Sequence, residues 1–204
     1  MSVTGDLRFA SHRDLMRVLA LAAARAELPL RYTEGFNPHP RLSLACPKPV
    51  GMASRDDLMV VVLEGPVEAA DVLRRLNGQA PLGMNFSRAE PLARKPQPQR
   101  MTCRLPVSPG ESARLRARLG ELAGQTCWPA ERTRTEAGDR GGLTRTTVDL
   151  RPLVEAIGVR DDVLEMSLGP REGRWARPAE VLELVGMEGR SGVARMERGV
   201  EYRM

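Results

Sequence analysis

The chain has two histidines, and each lies inside a dense run of polar and conformation-fixing residues. His12 is in "SHRDLMR" (11–17) and His39 is in "EGFNPHPRLSLACPKPVG" (34–51). Three chemistries are compatible with them. As a general acid–base pair they would place an imidazole near a ribose 2′-hydroxyl, with Arg13 or Arg41 on the phosphate. As metal ligands they would recruit Asp14, Glu34 or Cys46. As binding groups they would hydrogen-bond phosphate or backbone. The third is the commonest fate of a lone histidine. No catalytic role is assigned, and His12 and His39 stay candidates for one.

The elements around them must hold them still. Asn37 and His39 each precede a proline, which biases both towards an extended backbone. Gly35 and Gly51 permit angles or close approaches that a side chain resists. A stiff displayed segment loses little entropy on binding. The connector therefore reads as a preorganised shelf beside the start of a helix, the alternative being that its prolines only protect a sheet edge. Arg13 and Arg17, one helical turn apart, project from the same side of that helix. The candidate ligand-binding set is His12, Arg13, Asp14, Arg17, Gly35, Asn37, His39, Arg41, Ser43 and Lys48.

A second basic element lies later in the chain. "CWPAERTRT" and "LTRTTVDL" read as hairpin arms around "EAGDRGG". Arg132 and Arg134 share a strand face by the two-residue period and join the binding set. Arg140 and Arg145 extend the basic arm, offset by Glu131, Glu136 and Asp139.

Several classes are disfavoured. The chain lacks CxxxCxxC, GxxxxGK[ST], a GxGxxG after a strand, and GxSxG, so autonomous iron–sulfur, nucleotide or serine-hydrolase chemistry is not expected. No cofactor is assigned. Cys46, Cys103 and Cys127 are scattered and odd in number, which points to a reducing compartment. No signal core or membrane span is visible, and a cytoplasmic protein is expected. Aromatics make up 3% of the 204 residues, so stacking on bases can involve few side chains. Two of the 31 basic residues are lysine, and the rest are arginine, whose fork suits phosphate and carboxylate. Residues 1–100 hold 14 basic and 10 acidic residues, so most of the net charge of +5 falls in the half with the shelf.

The pattern predicts helices over "SHRDLMRVLALAAARAELP", "VEAADVLRRLNGQAP", "GESARLRARLGELAG" and "RPAEVLELVG". It predicts strands at "DLRFA", "RLSLA", "DLMVVVLEG", "GMNFSRAEPL", "MTCRLPV", "DVLEMSL" and "VARMERGVEYR". "ARKPQPQR" reads as an extended linker. The expected class is α+β, with two tandem ferredoxin-like (βαββαβ) halves and antiparallel sheets, over 1–94 and 95–204. Such a fold assigns no function.

"GDLRFASHRDLMR", "LPLRYTEGFNPHPRLSLACPKPVG", "VDLRPLV" and "ARPAEVLELVGM" together resemble the radical SAM-associated domain of unknown function, over essentially the whole chain. The resemblance implies an accessory role beside a radical SAM protein encoded nearby, acting on RNA (rRNA or tRNA) with no membrane involved, because in relatives ribonuclease and ribosomal-protein genes lie close by. It leaves open a metal-independent RNA endonuclease using His12 or His39, and a pure protein-interaction subunit. Three departures stand out. Arg13 replaces an apolar residue, Cys46 and Lys48 stand where Leu is common, and relatives carry several more residues before "GDLRF", so a shortened central strand or an upstream start is expected.

Overall fold

The computed structural model describes residues 1–135 and 143–203. The chain is mixed α+β, with five α-helices among the described residues and mostly antiparallel pairing. It divides into two compact units, Met1–Met101 with Ala194–Met204, and Thr102–Val193. No described helix is long and apolar enough to cross a membrane.

In the first unit, β1 (Ser2–Val3) is followed by α1 (His12–Arg25), β2 (Leu42–Leu44), β3 (Ala53–Ser54) and β4 (Met59–Val61). Helix α2 (Ala69–Gln79) and β5 (Met84–Asn85) come next. Leu15, Leu19, Ala22 and Ala23 form the buried stripe of α1. Leu15, Leu19 and Ala23 pack in one core with Val72 and Leu76 of α2, Val3, Leu44, Met84 and Phe86. Each such leucine contributes roughly 1.5–3 kcal/mol by leaving water. Helix α2 runs through Asn77-Gly78 to Gln79, and Asn77 ties the helix to Phe86, just after β5. Its amide donates to the Phe86 carbonyl at 2.7 Å and its oxygen accepts from the Phe86 N–H at 2.8 Å.

Strand β1 pairs antiparallel with β5 and with β3, while β2 pairs antiparallel with β4. The "DLRFA" stretch is not a strand. Gly5 takes φ +55° and the chain turns into a 3-10 helix over Gly5–Phe9, closed by the Ala10 N–H on the Leu7 carbonyl. The pairing strand is the two-residue Ser2–Val3 before it.

In the second unit, β6 (Gln97–Pro106) enters from the first and leads to α3 (Pro109–Ala123). The expected linker is thus partly strand, because Pro96 and Pro98 lie at its start, where a missing N–H is tolerated. Helix α3 starts on a full capping box between Ser108 and Glu111. Strands β7 (Pro129–Thr135) and β8 (Leu143–Asp149) form the hairpin in the register Pro129↔Asp149 to Thr135↔Leu143, and its turn lies outside the described residues. A strand absent from the sequence reading, β9 (Val154–Arg160), pairs antiparallel with β10 (Val163–Leu168). Helix α4 (Pro178–Leu184) follows.

The closing segment differs from a single strand. Gly189–Arg195 is a helix, α5, and only β11 (Glu197–Arg203) is extended. Strand β11 belongs to the first unit and runs parallel to β3, with Arg198 beside Ser54.

Candidate functional site: an exposed arm on a buried ionic root

The start of α1 is a cap before it is anything else. The Asp14 N–H donates to Ser11 Oγ at 3.2 Å, and the Ser11 hydroxyl donates to Asp14 Oδ2 at 2.6 Å. Asp14 Oδ1 also lies 3.6 Å from the Arg17 guanidinium. Asp14 is therefore occupied by its own helix. His12 and Arg13, in the first turn, are exposed, as is Arg17.

The connector divides at Leu44. Its first part is a hairpin-like arm. Leu30 anchors the root in the core, and Tyr32 pairs with Pro40 across the arm. The Arg41 N–H donates to the Arg31 carbonyl at 2.7 Å, and Val62 bonds to both residues at 2.9 and 3.0 Å. Further out, the Thr33 N–H donates to the His39 carbonyl at 2.8 Å, and the His39 N–H to Thr33 Oγ1 at 3.0 Å. The chain reverses through the bend Glu34–Asn37, with Gly35 at φ +117°. Asn37 thus belongs to the bend, and pairing resumes at His39.

The register sets the chemistry of the arm. Arg31 faces Arg41 and Thr33 faces His39. Opposed residues share a face, and so do residues two apart, so Arg31, Thr33, His39 and Arg41 line one side. Neither Arg31 nor Arg41 has a side-chain ion pair among the described residues. At the apex, Phe36 is 106% exposed, and Tyr32 on the other face is 45% exposed. Ser43 sits at the base in β2, half-buried and opposite Val60.

The second part, Cys46–Gly51, is fixed from beneath. Arg198 of β11, fully buried, bonds Asp57 at 2.7 Å, the Cys46 carbonyl at 2.6 Å and the Pro47 carbonyl at 3.2 Å. Burial works most strongly against the Arg198 charge, but Asp57, Cys46 and Tyr202 together outweigh it and raise the guanidinium pKa. Burial pushes the Cys46 thiol up, and the nearby Asp57 carboxylate adds to it, against Arg198. Burial also raises the Tyr202 phenol, whose oxygen accepts from the Leu58 N–H at 3.3 Å. Lys48 is buried too, its ammonium donating to the Arg8 carbonyl, and burial lowers its pKa. Gly51 takes φ +92°, and a Cβ there would stand 3.3 Å from Ala194.

The structure thus brings His39 and Arg41 onto one face and adds Arg31 to it. It holds Lys48 inside the fold, away from the arm. Among the described residues no hydrogen bond or ion pair joins His12 to His39. No group of three His, Cys, Asp or Glu side chains there could ligate a metal, so His12, His39 and Cys46 make no cluster of that kind.

In the second unit Arg132 is similarly engaged. Its Nε and Nη2 meet the two Glu180 oxygens at 2.7 Å each, and Nη2 also donates to the Trp175 carbonyl. The Glu180 hydrogen bond raises its pKa above the usual arginine value. Arg134 lies on β7 and its side chain is outside the described residues, as are Glu136, Asp139 and Arg140. Arg145 is exposed. Asp149 does not bond the Arg151 guanidinium. It accepts from the backbone N–H groups of Trp128 at 2.8 Å and Arg151 at 3.0 Å, and the Trp128 bond chiefly lowers its pKa. Trp128 is a packing residue, its indole N–H on the Leu122 carbonyl at 3.1 Å, with the Arg151 guanidinium 5.4 Å above the ring.

A family model described as "Uncharacterized protein conserved in bacteria (DUF2344)" matches residues 1–178, which include both histidine segments, the arm and Asp57. The chain belongs to that family. Comparisons with curated proteins and with solved structures gave no match. The family match ends before Arg198, the residue that holds Cys46 and Pro47.

Sequence reasoning passed over Phe36, Arg31 and the Asp57–Arg198 pair. For Phe36 a signal exists: an aromatic between Gly35 and Pro38 stands on a turn, where no core can receive it. For Arg198 there is none, since its partner is 141 residues away.

Proposed function

We propose that this protein is an RNA-binding accessory protein, and that the arm Arg31–Arg41 is its contact surface. The observation that carries the reading is one arm face bearing His39 and two arginines without ion pairs among the described residues, on a backbone already fixed by cross-strand bonds. Guanidinium groups free of carboxylate partners are available to phosphate, and a fixed backbone loses little entropy on binding. Arg13, Arg17 and His12 at the start of α1 are additional exposed contacts. The RNA is an rRNA or tRNA that the protein presents to a radical SAM enzyme encoded nearby, an inference that rests on the sequence resemblance alone.

The first-half strand order supports the ferredoxin-like reading that accompanies this proposal. The order β5-β1-β3, with β2 on β4, is compatible with a βαββαβ unit whose third strand is broken into β3 and β4, to which β11 adds a parallel strand beside β3. For the second half the reading rests on the sequence pattern, and β11, its expected closing strand, belongs to the first unit.

The test is retention of labelled RNA as salt is raised. Tight binding at low salt with a steep inverse salt dependence is expected, and Arg31→Ala with Arg41→Ala should flatten that slope by about two phosphate contacts. Absence of binding at low salt removes the proposal. Cleavage to 2′,3′-cyclic phosphate ends that His39→Ala abolishes would replace it with the endonuclease. Nuclease-insensitive copurification with the radical SAM partner, without RNA affinity, would replace it with a protein-interaction subunit.

A further inference from the structure

We infer that Phe36 is a stacking contact for an unpaired nucleobase, so that the arm engages a single-stranded segment of RNA. This deepens the RNA-binding proposal and rests on it.

An aromatic ring at full exposure stabilises nothing in its own fold, yet Phe36 stands at the apex of an arm closed by cross-strand bonds. Gly35 at φ +117° reverses the chain, Pro38 and Pro40 stiffen the return limb, and Thr33 and His39 close the arm below the bend. The ring is presented by a backbone with little freedom to withdraw it. Three of the chain's few aromatics besides this one are already committed to packing or hydrogen bonding: Phe86 and Trp128 are buried, and the Tyr202 hydroxyl accepts from Leu58.

The ring's neighbours select its occupant. An apolar protein hot spot is ringed by further apolar contacts that exclude water. Around Phe36 stand Glu34, Asn37 and His39, with Arg31 and Arg41 further down one face, all exposed. An exposed π-face on an arm that also carries cationic groups suits a ligand that alternates flat rings with anions, which is a nucleic acid strand. A base inside a duplex is already stacked on both faces, and the major groove of A-form RNA is too deep and narrow to admit the arm. The base must therefore be unpaired. Four residues lie between Phe36 and each arginine, a backbone span of at most about 17 Å. The ring and the guanidinium groups consequently fall on different nucleotides of one strand.

The experiment uses the full chain, a short single-stranded RNA carrying 2-aminopurine and a duplex of the same sequence, with Phe36→Ala, Phe36→Leu and Phe36→Trp. The single strand should bind about ten-fold or more tighter than the duplex. Phe36→Ala and Phe36→Leu should each weaken single-strand binding by about ten-fold, while Phe36→Trp retains it. The slope against salt should be the same for all of them, because no phosphate contact is lost. Wild-type affinity in Phe36→Leu, or unchanged affinity in all three variants while salt-dependent RNA binding persists, overturns the stacking contact and leaves the RNA-binding proposal standing. Preference for the duplex does the same. Loss of a protein partner in Phe36→Ala with RNA affinity intact overturns it in favour of protein docking. No binding of either RNA removes both proposals.

Discussion

The two parts of one connector treat their arginines in opposite ways. In the arm, Arg31 and Arg41 face each other across paired backbone, exposed and without ion pairs among the described residues. At its root, Arg198 is fully buried and bonds the Cys46 and Pro47 carbonyls, the Cys46 sulfur and the Asp57 carboxylate. Two like charges side by side in water cost little fold stability and remain open to an anion. A single charge withdrawn from water is tolerable only with its partner in place. The lesson is that in an arginine-rich chain neither count nor motif membership identifies a binding residue. Lys48, inside the same 34–51 stretch as His39, belongs to the root, whereas Arg31, three residues before that stretch, belongs to the arm.

That contrast can be broken at its strongest point first. Arg198→Ala leaves Asp57 buried and unpaired, so a loss of about 3–5 kcal/mol is expected in urea unfolding. A loss below about 1 kcal/mol would mean that the root is not clamped. Next comes Gly51→Ala, where a positive φ and a Cβ only 3.3 Å from Ala194 act together. A loss of about 1–3 kcal/mol is expected from the same measurement. Gly35→Ala meets nothing within 4 Å and bears only the backbone cost, about 1 kcal/mol, and it should redirect Phe36. Arg31→Ala with Arg41→Ala should change stability by less than about 0.5 kcal/mol while reducing RNA retention, which separates function from fold most sharply.

Alkaline pH sharpens the same comparison. The fold raises the pKa of Cys46 and of Tyr202. An acid held protonated stabilises the fold fully below its unfolded value and loses that contribution as pH rises through the folded one. Stability should therefore fall above about pH 9 through Cys46 and further above about pH 10 through Tyr202. Lys48 opposes this, since its lowered pKa means its burial penalty fades as pH approaches its ordinary value. Comparing Cys46→Ala and Tyr202→Phe with wild type isolates each contribution, because the Lys48 share is common to all three. Parallel stability curves above pH 9 would contradict the buried root.

The helices were legible because their signals are local. Ser11 with Asp14 and Ser108 with Glu111 mark starts, and the Leu15–Leu19 and Leu115–Leu122 stripes mark buried faces. The stiffness of the connector was legible from Pro38, Pro40, Gly35 and Gly51 for the same reason. The strands were less so. Ser2–Val3, Ala53–Ser54 and Met84–Asn85 are two-residue strands, too short for alternation to show. "DLRFA" carries the right residues for a strand but follows a glycine at φ +55°, and the turn prevails. The placement of Lys48 and Arg132 was illegible because each is held by a distant group, the Arg8 carbonyl and Glu180, which no sequence period connects to it.

The central claim is that RNA meets this protein at the arm rather than at the basic hairpin. Ultraviolet cross-linking of bound RNA followed by peptide mapping tests it most directly. The account predicts cross-links on the peptide containing Tyr32, Phe36 and His39. Cross-links confined to the β7–β8 hairpin, with the arm peptide unmodified, would contradict it.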